Sequence, residues 1–308
     1  MTEIGEPQRQ ENGLSNEDWT VILGTIRDRR CTPFLGAGVN YGILPLAAQI
    51  ANEWAIAEGY PMMSRDDLSS VAQFLSVKFQ SGIFPKAEIV RRLAREPRPD
   101  FSLADDDRLV CLRALAKLPL PVYITTNYDE LMEEALRFTS PSKRPRREFC
   151  RWHPLLKSLP SAYDSTYEPD EINPLVYHLH GIERYPNSLV LTEDDYLDFL
   201  VNVSRSQKLI PPRIQAALTS ASLLFVGYRL KDINFRVIHR GLVESMDRGQ
   251  RELGVTVQIT PPDGHSGDPK EAQDFLNKYF IALNVRVYWG TASQFAEDLQ
   301  SRWENYRK

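Results

Sequence analysis

The sequence predicts an α/β fold: a mostly parallel sheet with helices on both faces and an inserted helical module. Three observations predict it. Short apolar runs alternate with amphipathic helical patterns along most of the chain, the arrangement of β-strands joined by helical crossovers. The first strand runs straight into a glycine turn, Gly36-Ala37-Gly38, as a βα unit does. Between that unit and the next strand lies a long stretch, about 62–118, with helical periodicity and no strand pattern.

In order along the chain, residues 1–14 are polar and read as a loosely attached tail, with a single domain over 15–308. Ser15 or Asn16 is placed to cap a first helix carrying Trp19, Ile22, Leu23 and Ile26 on one face. A strand follows through Thr32-Pro33-Phe34-Leu35, and a helix is expected from Leu44 to Ala57. The helical module divides at Gly82, at Pro85, and at Pro97 with Pro99. Further strands are expected at Pro121–Thr125, Leu175–Leu179, Leu189–Leu191, Leu223–Val226, Val255–Ile259 and Val285–Trp289. The helical patterns between and after them are Tyr128–Phe138, Asp194–Val203, Lys231–Met246, Lys270–Phe280 and Ala292–Trp303.

Composition narrows the class. Of the 308 residues, 42% are hydrophobic and 25% charged, the balance of a packed globular chain. A net charge of −4 argues against a chain built around nucleic-acid binding. No apolar run approaches the ~20 residues that span a bilayer, and the N-terminus has no apolar signal core, so the expected location is the cytoplasm. Cys31, Cys111 and Cys150 are far apart and form no CxxC pair, so neither a disulfide framework nor a cysteine zinc site is expected. Cys31 and Cys111 read as core residues.

Three segments carry candidate chemistry. Gly36-Ala37-Gly38 follows a strand and precedes a helix, where backbone can approach a ligand and free N–H groups can meet a phosphate. A tight structural turn explains it equally well. The dehydrogenase fingerprint is incomplete: Tyr41 stands at the third glycine position, and no acidic residue clearly ends a second strand, which argues against hydride transfer. Thr126-Asn127-Tyr128-Asp129 follows the strand Pro121–Thr125, at the end of the sheet where α/β proteins bind ligands. An Asn there offers a donor and an acceptor to sugar hydroxyls or water; Thr126 or Asn127 could equally cap the next helix, with Asp129 supporting its dipole. In Val176-Tyr177-His178-Leu179-His180-Gly181, alternation places His178 and His180 on one face, and His180, beside the loop, is the better placed for proton transfer. A metal held by the two histidines lacks a carboxylate at suitable spacing. Lys143-Arg144-Pro145-Arg146-Arg147 reads as a solvated basic loop, with docking to an acidic surface or a nucleic acid as the alternative.

GAGVN, TTNYD, HLHG and then Gly227-Tyr228-Arg229-Leu230-Lys231-Asp232 occur in this order, each after an expected strand. The series resembles the Sir2-like superfamily, in particular its bacterial NAD-hydrolase branch found in antiphage defence, over about residues 19–303. The resemblance implies a Rossmann-like sheet and cleavage of NAD at the nicotinamide–ribose bond, with NAD as substrate and no metal. It implies that Gly36, Ala37 and Gly38, with Asn40 beside them, form the NAD-phosphate loop; that Asn127, with Thr126, orients the nicotinamide ribose and a water; that Asp129 supports the nicotinamide end; that His180 is the base near the ribose hydroxyls; and that Gly227 passes close to the cofactor. Asn40 stands where the family often has Ser, and Arg229 where a small Ser or Thr is usual; Arg229 is a cofactor-binding candidate placed either to contact a phosphate directly or to face solvent. The four zinc-binding cysteines usual in protein deacylases of the family are missing, which favours hydrolysis over an NAD-dependent deacylase; a non-catalytic nucleotide-binding subunit is the other alternative. The defence branch also implies control by assembly, as a homo-oligomer or with a separate sensor or ATPase subunit. Neither a membrane nor a direct nucleic-acid partner is expected.

Overall fold

Strand β1 (Cys31–Leu35) is buried along its whole length and lies in the middle of a seven-stranded sheet of order β3-β4-β2-β1-β5-β6-β7, in which every recorded pairing is parallel. The other strands are β2 (Val122–Thr125), β3 (Arg146–Phe149), β4 (Leu175–His178), β5 (Ser222–Val226), β6 (Gly254–Gln258) and β7 (Val285–Trp289). The computed structural model describes residues 12–103, 105–162, 166–206, 209–219, 221–228, 253–258 and 269–307. The expected helix Lys231–Met246, together with Arg229 and Ile259, lies outside the described residues.

A parallel sheet is covered on both faces, so its central strands are mostly apolar, and successive residues feed opposite cores. On one face Leu35, Tyr123, Val176, Leu224 and Val226 pack against α1 (Asn16–Arg27), α5 (Val110–Lys117), α6 (Leu131–Thr139) and α10 (Ala292–Tyr306). Their neighbours Phe34, Ile124, Tyr177 and Phe225 turn to the other face, against α7 (Glu193–Arg205), α8 (Pro212–Thr219) and α9 (Pro269–Ile281). Burial of one such Phe stabilises the fold by about 1.5–3 kcal/mol. Ser15 caps α1, accepting from the Asp18 N–H while the Asp18 carboxylate accepts from the Ser15 N–H, a capping box.

Between β1 and β2 come α2 (Ala47–Glu58), α3 (Leu68–Lys78), α4 (Ile83–Ala94) and α5. Pro85, expected to divide helices, sits in the first turn of α4, where its missing N–H costs nothing. The expected strand Leu189–Leu191 is irregular chain. Leu189 and Leu191 fill the core of the helical module with Ile50, Ala72, Ile89 and Leu93, while Val190 points to the α7 core. That division reproduces strand alternation without a ladder.

Other departures share one cause, a distant partner. Residues 12–14, expected in the tail, dock on β7: the Asn12 carbonyl accepts from the Trp289 N–H at 2.9 Å, and Leu14 is buried. The basic stretch is a solvated loop only in part: Arg144 and Arg146 are exposed. Arg146 and Arg147 open edge strand β3, and Lys143 is buried, its Nζ donating to the Ala116 and Leu118 carbonyls at 2.9 and 2.6 Å near the end of α5. Helix α8, with only Ile214 and Leu218 buried, was not expected.

Candidate functional site

From β1 the chain passes to β2, then to edge strand β3 and back to β4 between them, all on one side, before it crosses to β5 on the other side of β1. The crevice beyond the carboxyl end of β1 is therefore the switch point, the usual ligand position in open α/β sheets. Gly36 to Asn40 follow β1, Thr126 to Asp129 follow β2, His180 and Gly181 follow β4, and Gly227 follows β5. Four adjacent strands thus bring the sequence-predicted residues to one end of the sheet. Arg229 alone lies outside the described residues.

The glycine turn differs from its expectation. Ala37–Asn40 forms a 3₁₀ turn, and the helix expected over Leu44 to Ala57 is α2, which starts only at Ala47, so its N-terminus does not meet the glycine turn. The glycines meet backbone instead. Gly36 N–H donates to Val226 O, and Gly38 N–H donates to Gly227 O, both at 2.9 Å. A Cβ on Gly36 would lie 2.8 Å from Gly227 O. Ala37, between them, is exposed.

Thr126 ties strand ends together. Its N–H donates to Leu35 O at 3.0 Å, and its hydroxyl lies 2.8 Å from the Tyr228 hydroxyl, which donates to Leu35 O at 2.9 Å. Tyr228 has one proton, so Thr126 is the donor between them. Sequence reasoning missed Tyr228 as a member of this end of the sheet; its place directly after Gly227 was the available signal.

Asn127 is half-buried and held at three points. Its N–H donates to Thr125 Oγ1 at 2.9 Å, its Nδ2 donates to Gly36 O at 3.1 Å, and its carbonyl lies 3.1 Å from His178 Nδ1. A carbonyl can only accept, so the amide orientation is fixed and the acceptor Oδ1 is left without a protein partner among the described residues.

Asp129 is buried. Its Oδ1 accepts from the Leu131 N–H at 3.1 Å, capping α6, and its Oδ2 accepts from Asn40 Nδ2 at 2.8 Å. Burial pushes the carboxyl up to about 6, with Glu183 nearby adding to the rise and His178 opposing it. Asn40 is buried as well, and its Oδ1 has no hydrogen-bond partner among the described residues.

The two histidines do not share a surface, contrary to the alternation argument. The strand ends at His178, and Gly181 turns the chain at φ 86°; a Cβ there would lie 2.1 Å from Ser188 O. His178 faces α6, its Nε2 2.9 Å from Glu133 Oε1. His180 packs edge-on against Tyr196 and Phe199 of α7, with ring centroids 5.4 and 5.2 Å away. It is 1% exposed, its Nε2 lacks a partner among the described residues, and burial pushes its pKa down to about 3, so the ring is neutral.

All three cysteines are free and buried in separate parts of the chain. Burial pushes the Cys111 thiol up to about 12, which makes it inert. No helix of the described residues is long and apolar enough to cross a membrane.

Comparison with known proteins gives a consistent result. The chain is 22% identical over 220 residues to the NAD(+) hydrolase ThsA of Acinetobacter baumannii, covering 68% of this chain and 40% of that protein. It is 25% identical over 227 residues to the NAD(+) hydrolase ThsA of Bacillus cereus, covering 73% and 42%. A protein of the same name from Cytobacillus dafuensis is 31% identical over 131 residues, covering 41% and 22%. The match thus takes in about two fifths of the length of the first two relatives. Residues 121–283, which include Asn127, Asp129, His180 and Gly227, match the SIR2-like domain model, and the chain belongs to the SIR2-like family.

Proposed function

We propose that this protein hydrolyses NAD at the bond between nicotinamide and ribose, giving nicotinamide, ADP-ribose and a proton. The observation that carries the reading is Asn127: at the switch point of the sheet, its main chain and Nδ2 are engaged and Oδ1 alone is left to accept. An acceptor held in that way can orient a ribose hydroxyl or the attacking water. Four relatives named as NAD(+) hydrolases support the same chemistry.

The leaving nicotinamide nitrogen is already cationic, so its departure needs no general acid. The bonding pair goes to nicotinamide, positive charge develops on the ribose, and water adds to the anomeric carbon and loses a proton. In this proposal Asn127 places the nucleophile, and Asp129, ionised above about pH 6, stabilises the positive charge that develops on the ribose as nicotinamide leaves. Asn40 Oδ1 and His180 Nε2 are buried without partners among the described residues, and hydroxyl or amide donors of a bound nucleotide would satisfy them. With its pKa near 3 the buried His180 ring is a weak base, so its role as proton acceptor requires a ribose hydroxyl or water to reach Nε2. Gly36, Ala37, Gly38, Thr126 and Gly227 form the backbone frame around that position, with Arg229 following. The wider reading is an effector of antiphage defence by NAD depletion, located in the cytoplasm and controlled through homo-oligomerisation or a separate sensor or ATPase subunit.

The test is nicotinamide release from NAD by the purified protein beside Asn127→Ala and His180→Ala. Turnover in the wild type, lost in both folded variants, supports the proposal. Turnover only with an acyl-peptide overturns it in favour of a deacylase; NAD binding with no turnover in either assay overturns it in favour of a binding module.

A further inference from the structure

His178 is the last residue of β4, in register with Thr125 on β2 and Phe149 on β3, and it is fully buried. Its Nδ1 lies 3.1 Å from the Asn127 carbonyl and its Nε2 lies 2.9 Å from Glu133 Oε1 on α6. The carbonyl only accepts, so Nδ1 carries a proton. The contact on Nε2 then closes in one of two ways: an imidazolium donates to a carboxylate, or a carboxylic acid donates to a neutral ring. In both, Glu133 keeps the proton on Nδ1 and therefore on the bond to Asn127.

The other two tethers of Asn127 are a hydroxyl and a main-chain carbonyl from neighbouring segments. His178 is the tether that reaches it from a separate strand through a rigid ring. The ring is itself fixed at both nitrogens, and Glu133 is held in turn by Arg147, whose Nε lies 3.7 Å from Oε1. Arg147 also pairs with Glu130 at 2.7 Å, and Asp129 and Glu183 contribute further negative charge around the cluster. Burial opposes charge on both partners, yet Glu133 holds the His178 ring above its usual value and His178 holds the Glu133 carboxyl below its own.

A buried ion pair is rarely the most stable filling for a core, since apolar residues of similar volume often do as well or better. Glu133 Oε2 moreover has no hydrogen-bond partner among the described residues. Stability alone therefore gives little reason for an imidazole–carboxyl pair under this turn. We propose that His178 is a positioning residue for NAD cleavage, holding Asn127 through its main chain, with Glu133 fixing the proton that makes the hold. This rests on the hydrolase reading given above.

Two substitutions separate the two ends of the ring. In His178→Asn the amide nitrogen falls near the position of Nδ1, so the donor to Asn127 is kept and the tie to Glu133 is lost. In His178→Gln the amide nitrogen falls near Nε2, so Glu133 keeps its partner and Asn127 loses one. The readouts are kcat and KM for nicotinamide release from NAD by the full chain, with the melting temperature of each variant. The expected result is a crossed order: His178→Gln melts higher but loses kcat by about 100-fold with a smaller change in KM, while His178→Asn melts lower and keeps more of its kcat. A kcat order that follows melting temperature overturns the proposal and leaves the hydrolase reading intact. Should the stripped Glu133 unfold the Asn variant, His178→Asn with Glu133→Gln removes the buried charge and gives the same comparison. A wild type that binds NAD without cleaving it overturns the hydrolase reading; calorimetric NAD affinity then replaces kcat, and the same crossed order supports positioning while an uncrossed one overturns it. A wild type that neither binds nor cleaves NAD overturns both.

Discussion

Gly38 and Gly227 meet backbone to backbone: the Gly38 N–H donates to the Gly227 carbonyl at 2.9 Å, and a Cβ on Gly38 would lie 2.8 Å from the Gly227 Cα. This contact joins the turn after β1 to the turn after β5, across the switch point of the sheet. The glycines are needed first for that junction, whatever ligand the turn goes on to meet. Gly227 has the further constraint of a φ of 83°.

Substitution at these positions should therefore cost more than a backbone preference. Gly227→Ala combines left-handed strain with a Cβ 2.6 Å from Val39 N, whereas Gly59→Ala has a similar φ of 70° and nothing within 4 Å. The strain alone is worth about 1–2 kcal/mol, and crowding against backbone adds about 1–3 kcal/mol. Denaturant unfolding should place Gly227→Ala clearly below Gly59→Ala in stability, with nicotinamide release lost in the former and kept in the latter. Equal stability of the two would refute the junction argument.

The helical module holds α7 through its first turn. Lys86 Nζ donates to Asp195 Oδ1 at 2.7 Å, with the two side chains 10% and 13% exposed, while Asp195 Oδ2 accepts from the N–H groups of Leu191 and Thr192. Lys86→Met leaves the carboxylate without its cation and should destabilise by about 2 kcal/mol, somewhat under the value for a fully buried pair. Arg92 and Glu53, with Glu53 half exposed, are the comparison: Glu53→Gln should change stability by less than about 1 kcal/mol. Because α7 also carries Tyr196 and Phe199 against His180, Lys86→Met should lower turnover as well; unchanged stability and unchanged turnover would both contradict this.

How much of this was legible in the sequence depends on the range of each interaction. The strands buried on both faces announce themselves, because Cys31–Leu35, Val122–Thr125 and Ser222–Val226 are short runs made mostly of apolar residues. Strand β3 did not, since Arg147 and Glu148 are matched by Glu130 and by Ser161 and Ala162, far away in the chain or in loops. Lys143 misled for the same reason: what makes a buried lysine tolerable is two carbonyls about 25 residues upstream. The site was legible as a set of loops after strands, but the contact between His178 and Glu133 was not, because a pair 45 residues apart leaves no local pattern.

His180 should give the protein an acid liability. Its folded pKa of about 3 lies below the ordinary value near 6.5, so as pH falls through 6.5 the unfolded chain takes up a proton that the folded chain refuses. Stability is then lost on acidification between 6.5 and 3, by about 1.4 kcal/mol per pH unit at full effect. His180→Phe places an apolar ring against Tyr196 and Phe199 and should remove that slope while abolishing turnover. Unfolding free energies of wild type and variant that run parallel from pH 7 to 4 would show that the ring is not held neutral.

Asp129 titrates in the opposite sense and offers the sharpest link between the fold and the proposed reaction. Its pKa, pushed up to about 6 by burial, lies above its ordinary value near 3.8, so the folded state gains stability as pH falls from 6 towards 4 and loses it as pH rises through 6. Asp129→Asn retains an oxygen for the Leu131 N–H and cannot ionise, so its stability should lack this dependence and exceed that of wild type most above pH 6. Activity should move the other way. If the carboxylate stabilises the positive charge developing on the ribose, wild-type kcat rises through about pH 6, and Asp129→Asn is slow at every pH despite its greater stability. A variant as active as wild type at pH 7.5 would remove Asp129 from the chemistry and leave it as the cap of α6.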